Sequence, residues 1–152
     1  MMSIAKQAGG LCLLLSLSLS LFACDSGDDS SSSSATAATE LELIGSWTNN
    51  YDGTETITEE SWDNGYSVVS VSSYDNDANW IVVQSPEDDE YTPNQYSKYV
   101  WTEEDAGVVY YCTVSYGLAT LEEAEASEDN SDASAPLDGG CNGFAWTELT
   151  RG

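Results

Sequence analysis

The side chains of this chain that could do chemistry are 27 aspartates and glutamates, nine tyrosines, five tryptophans and four cysteines, and there is no histidine. Without imidazole, the commonest general base, the serine and cysteine triads and the usual zinc and copper sites have no basis. Carboxylates remain. Asp75, Asp77 and Asn79 have the D-x-D-x-N spacing that opens a calcium loop, but Trp80 stands where the glycine belongs and Pro86 where the last glutamate belongs. A polar hairpin turn is the favoured reading of those three residues, with a weak calcium-binding surface helped by Glu87-Asp88-Asp89-Glu90 as the alternative. Nothing singles out a carboxylate pair for sugar hydrolysis, and no activated nucleophile or cofactor fingerprint appears. A carboxylate-dependent hydrolase is therefore the second reading, and no cofactor is expected. The aromatics favour the first reading, a binding module for a small apolar or glycan ligand or a protein partner. Trp47, Trp62, Trp80, Trp101 and Tyr110 are the candidate ligand-binding residues.

Lys6 precedes an apolar run, Leu11 to Phe22, that is too short to cross a bilayer, and the run closes with Leu21-Phe22-Ala23-Cys24. A small residue followed by cysteine at this point resembles the lipobox of bacterial lipoproteins. The resemblance implies cleavage after Ala23, a diacylglyceryl group on Cys24, and attachment to a membrane of the bacterial cell envelope, facing the periplasm or the exterior. Residues 1–23 are then signal. Residues 24–39, rich in serine and aspartate, form a flexible tether with nothing to bury. Residues 40–152 suit one small core.

With Cys12 in the signal and Cys24 acylated, Cys112 and Cys141 remain, and two thiols in an exported domain most simply form a disulfide. The formal net charge is −24, and beyond the signal the cations are Lys98 and Arg151, far apart in sequence. Such a surface excludes nucleic acid as a partner, because that affinity rests on clustered Lys and Arg. Its acids are dispersed along the chain, which fits solubility and a monomer.

Positioning such residues falls to strands. Period-two patterning marks Ile44 to Thr48, Glu55 to Trp62, Tyr66 to Tyr74, Trp80 to Gln84, Tyr96 to Glu103, Gly107 to Tyr116 and Phe144 to Leu149. In Gly107 to Tyr116 both faces are partly apolar. Asn64-Gly65 is a hairpin signal, and Thr120 with Glu123 fits a capping box opening a short helix that ends near Asp129. This order describes an all-β, antiparallel meander with one short helix before the final strand, closed as a β-barrel, with a β-sandwich as the alternative.

Gly45-Ser46-Trp47 on the first strand is similar to the G-x-W element of lipocalins, which implies a lipocalin-like barrel with Trp47 closing one end. Gly45-Ser46-Trp47, the strand around Ile57, Tyr96-Ser97-Lys98 before Trp101, Tyr110-Tyr111-Cys112 and Gly140-Cys141-Asn142-Gly143-Phe144-Ala145-Trp146-Thr147 together resemble a group of uncharacterised bacterial lipoproteins. Their last block usually reads Gly-Cys-Gly-Gly-Phe-Pro/Ser-Trp, so Asn142 and Ala145 depart from it while the cysteine spacing holds. This second resemblance implies anchoring and the disulfide, and brings no activity.

Overall fold

The computed structural model describes residues 39–152. The signal, Cys24 and the tether as far as residue 38 lie outside the described residues. Eight strands follow in order: β1 (Gly45–Asn49), β2 (Thr54–Ile57), β3 (Ser61–Asp63), β4 (Val68–Asp75), β5 (Trp80–Gln84), β6 (Tyr96–Trp101), β7 (Val108–Leu118) and β8 (Thr147–Arg151), with one helix, α1 (Leu121–Glu125), before the last. Each strand pairs antiparallel with the next, and β8 pairs back onto β1 with Trp47 opposite Arg151, so the sheet is a closed barrel. Closure leaves no unpaired edge.

Alternation along the strands decides what fills the barrel. In β1 and β2 the buried residues are Trp47, Asn49, Glu55 and Ile57, each two positions from the next within its strand. Trp47, Trp62, Ile81, Val83, Trp101, Val109 and Leu149 form one core with Leu41 and Leu43. At roughly 1.5–3 kcal/mol for each large apolar side chain taken from water, this cluster is the main stabilising term.

β7 presents Val109 and Tyr111 to that core, while Cys112 faces a second cluster outside the barrel with Val100 and Trp146. The two partly apolar faces read from its sequence thus serve two layers. The outer layer is the connection between β7 and β8. Cys112 and Cys141 are disulfide-bonded, with their Cα atoms 5.5 Å apart. α1 lies against β5, β6 and β7 and buries Ala124. Thr120 caps it, accepting a hydrogen bond from the Glu123 N–H at 3.2 Å. At its other end Lys98 Nζ donates to the carbonyls of Glu125 and Ser127 at 2.9 and 3.0 Å, satisfying groups that a helix terminus leaves open.

Two strands differ from the sequence reading. The single stretch Glu55 to Trp62 is two strands, because the Thr58 hydroxyl accepts from the N–H groups of Glu60 and Ser61 and turns the chain. The final strand begins at Thr147 instead of Phe144. Asn142 (φ 52°) and Gly143 (φ 90°) form a tight turn between Cys141 and Phe144 that holds this segment outside the barrel. Both central residues have positive φ, which asparagine accepts more readily than other non-glycine residues.

Candidate functional site

An up-and-down barrel has two ends, and here they differ. At one end the chain enters through Leu41–Ile44, which crosses the opening and buries Leu41 and Leu43. The entering segment is bonded to its surroundings: Leu41 N–H to Glu59 at 2.9 Å, Glu42 N–H to Asn76 at 3.2 Å, and the Trp101 indole N–H to the Glu42 carboxylate. Trp47 lies beneath it, fully buried, and donates its indole N–H to the Leu43 carbonyl at 2.8 Å. Arg151 covers Trp47 from outside, its guanidinium 4.3 Å from the ring centroid and paired with Glu104 at 2.8 Å. A Cβ on residue 45 would come within 3.1 Å of that guanidinium, and φ there is +147°, so the glycine of the G-x-W element makes room for the seal.

The other end carries the connections β1–β2, β3–β4, β5–β6 and β7–β8. Three of them bear an exposed tyrosine, Tyr51, Tyr66 (93% exposed) and Tyr91, with Tyr116 also exposed where β7 approaches this end; Phe144 on the fourth is exposed beside Cys141, against the middle of β7. No large exposed apolar side chain lies on the three connections of the plugged end. Local polar geometry holds the tyrosines out. The Asn49 side chain accepts from the N–H groups of Tyr51 and Gly53, the Asn64 side chain from Tyr66 and Ser67, and the Asp89 carboxylate from Tyr91 and Thr92. The Thr92 and Tyr91 bonds hold the Asp89 carboxyl below the usual aspartate range.

Inside the barrel near this end sits Glu55, 1% exposed and the only buried acid among the described residues. It accepts from the Trp62 indole at 2.7 Å, the Asn49 amide at 2.9 Å and the Tyr111 hydroxyl at 3.3 Å. Trp62, Tyr99 and Tyr111 pack with ring centroids 4.9 to 5.8 Å apart. Burial, then the charge of Glu55, pushes the Tyr99 hydroxyl up to about 12 and raises that of Tyr111 as well. Both phenols therefore stay neutral, and Tyr111 donates to Glu55. A facing pair of buried carboxylates, the arrangement sugar hydrolysis uses, has no counterpart among the described residues.

The residues singled out from sequence are dispersed. Trp47, Trp62 and Trp101 are buried in the barrel core and form no surface platform. Trp80 and Tyr110 pack on the outer cluster, Trp80 under Lys98 Nζ at 5.1 Å and Tyr110 donating to Glu148 at 3.0 Å. Tyr110 also lines a groove of about 470 Å³ with Val108, Ala133 and Pro136. Asp75, Asp77 and Asn79 lie on the hairpin between β4 and β5, where the Asp75 carboxylate accepts from Ala78 N–H at 3.1 Å. Asp75 and Asp77 line a depression of about 530 Å³, and among the described residues no group of three or more Cys, Asp or Glu is placed to hold a metal.

The exposed tyrosines escaped the sequence reading because alternation reports burial within strands, and these residues mostly sit on turns. The available signal was one tyrosine in or beside each of the turn-forming stretches 49–53, 63–65 and 85–94. The chain matches no protein-family model, curated protein or solved structure. The functional reading therefore stands on the residues and their geometry.

Proposed function

We propose that this protein is an envelope lipoprotein, anchored through a lipid on Cys24, whose barrel is a non-catalytic interaction module presenting its tyrosine-bearing end. The observation that carries this reading is the asymmetry of the barrel. One end is plugged by its own chain, and the other exposes a tyrosine on three of its four connections. Tyrosine suits an exposed contact, since its ring contributes apolar area and its hydroxyl stays solvated. The interior, filled by tryptophan, leucine and valine, is a core. A second reading, a small apolar ligand, is favoured only by the groove beside Tyr110.

The test is membrane fractionation of the full chain and its Cys24→Ser variant in a bacterial host, with mass analysis of the N-terminus. The expected result is a diacylglyceryl-modified Cys24 in membranes and an unprocessed or released variant. A variant both processed and membrane-bound would sink the anchoring half. For the module, Tyr66→Ser is expected to weaken whatever partner the anchored protein retains and to leave the melting temperature unchanged; loss of binding only on changes around Tyr110 would move the site to the groove.

A further inference from the structure

We propose that the tyrosine-bearing end takes a cationic polypeptide segment, one rich in arginine or lysine, held by its side chains on the tyrosine faces. This names the partner class for the interaction surface described above and rests on that reading.

This chain holds both of its described cations in the same way. Arg151 lies 4.3 Å over the Trp47 ring and pairs with the Glu104 carboxylate. Lys98 lies 5.1 Å from the Trp80 centroid and donates to two helix-end carbonyls. Both described cations thus sit between an aromatic face and oxygen acceptors, an arrangement in which the ring quadrupole and the acceptor act together. The tyrosine end repeats the aromatic and acidic parts without a cation. Tyr51 adjoins Asp52, Tyr66 follows the Asp63-Asn64-Gly65 turn, and Tyr91 follows Glu87-Asp88-Asp89-Glu90, with Glu87, Asp88 and Glu90 all exposed. Lys98 is occupied under α1 and Arg151 at the opposite end, so no described cation neutralises this surface.

Shape favours a chain over a small molecule. The depressions of about 530, 170 and 470 Å³ lie at the plugged end or along the outer face, and none is lined by Tyr51, Tyr66, Tyr91 or Tyr116. The tyrosines are spread over separate connections, which suits an extended segment touching several of them. The acids alone would attract a polycation to either end, because Glu59, Glu60, Asp77 and Glu104 make the plugged end acidic too. The tyrosines therefore carry the specificity, and the charge carries the encounter.

The test uses the full chain in detergent micelles at physiological salt. It is titrated by fluorescence anisotropy with a labelled (Arg-Gly)5 decapeptide, with (Glu-Gly)5 and (Ser-Gly)5 as controls, and in parallel with neutral oligosaccharides. The triple variant Tyr51→Ser/Tyr66→Ser/Tyr91→Ser keeps every charge and removes side chains that make no hydrogen bond among the described residues. It is expected to weaken the arginine peptide about tenfold, the scale of a few exposed cation–π contacts. Removing charge at the plugged end, Glu59→Gln with Asp77→Asn, is expected to change it less than twofold. If the triple variant melts abnormally, Tyr66→Ser alone serves, with an expected loss of about threefold. An arginine peptide that fails to bind, or binds the triple variant as tightly as the natural chain, overturns the cationic partner. If oligosaccharide binding then depends on the tyrosines, the end is still an interaction surface and its ligand is a glycan. If neither probe depends on them, the interaction reading of this end falls as well.

Discussion

Replacing Glu55 by glutamine changes one atom of a buried network, and its cost follows from counting donors. The carboxylate accepts from Trp62, Asn49 and Tyr111. An indole only donates, so the glutamine oxygen must turn to Trp62 Nε1, leaving its NH2 toward Asn49 and Tyr111. Tyr111 can rotate its hydroxyl and accept. Asn49 cannot reverse its amide, because its oxygen already accepts from the N–H groups of Tyr51 at 3.0 Å and Gly53 at 2.9 Å. Two donors then face each other in a site 1% exposed. One stranded buried donor costs about 1–3 kcal/mol, so Glu55→Gln should lose about 2 kcal/mol. That lowers the melting temperature by on the order of 10 °C for a domain of this size. Glu55→Leu strands all three donors and should lose about 4 kcal/mol, part of the loss being offset by removing a buried charge. Urea unfolding followed by tryptophan fluorescence, with the disulfide intact, measures both. A Glu55→Gln protein as stable as the natural one would show that desolvating the carboxylate outweighs its hydrogen bonds, and the network would not be a stabilising element.

Three further outcomes are expected. Reducing the Cys112–Cys141 bond, which spans 29 positions, should cost about 3–4 kcal/mol in the chain-entropy model and lower the urea midpoint, while two free thiols in the unreduced, unfolded protein would contradict the bond. Lys98→Met should remove both hydrogen bonds at the end of α1, costing about 2 kcal/mol, and hydrogen exchange should quicken at residues 121–127 ahead of the barrel; unchanged exchange there would deny Lys98 its role. In alkali, Tyr99 titrates at about 12 when folded against 10.0 for a free tyrosine, so the folded state binds more protons in that window. Its contribution to stability is therefore present below pH 10 and lost as pH rises toward 12. Phenolate absorbance is expected to show part of the tyrosines ionising only together with unfolding, and a single ordinary titration of all nine would refute this.

Much of the barrel was legible because inward and outward residues alternate where strands are half-buried. β5 runs from Trp80 to Gln84 as its apolar run indicates, Gly65 takes φ +82° in the hairpin, and Thr120 caps the helix. The break between β2 and β3 was also available: Ile57 and Trp62 have opposite parity, so both can face inward only if the chain turns between them. For the tryptophans, stacking chemistry and volume make the same sequence signal, and Trp47, Trp62 and Trp101 are spent on filling the core. Glu55 was hidden among 26 other acids, since a buried carboxylate is defined by donors from β1, β3 and β7, which no local pattern brings together.

The pairing of Trp47 with Arg151 also sets a timetable. β1 forms its first ladder with β2 almost as soon as both exist, but its second ladder waits for Thr147–Arg151, close to the opposite end of the sequence. Until then Leu43 and Trp47 lack their neighbours from β8, and the sheet is an open ribbon with two free edges. Long-range closure of this kind is the slow step of folding. A chain emerging from a ribosome therefore cannot close its barrel until β8 has been made. The seal over Trp47 comes only with Arg151 of β8.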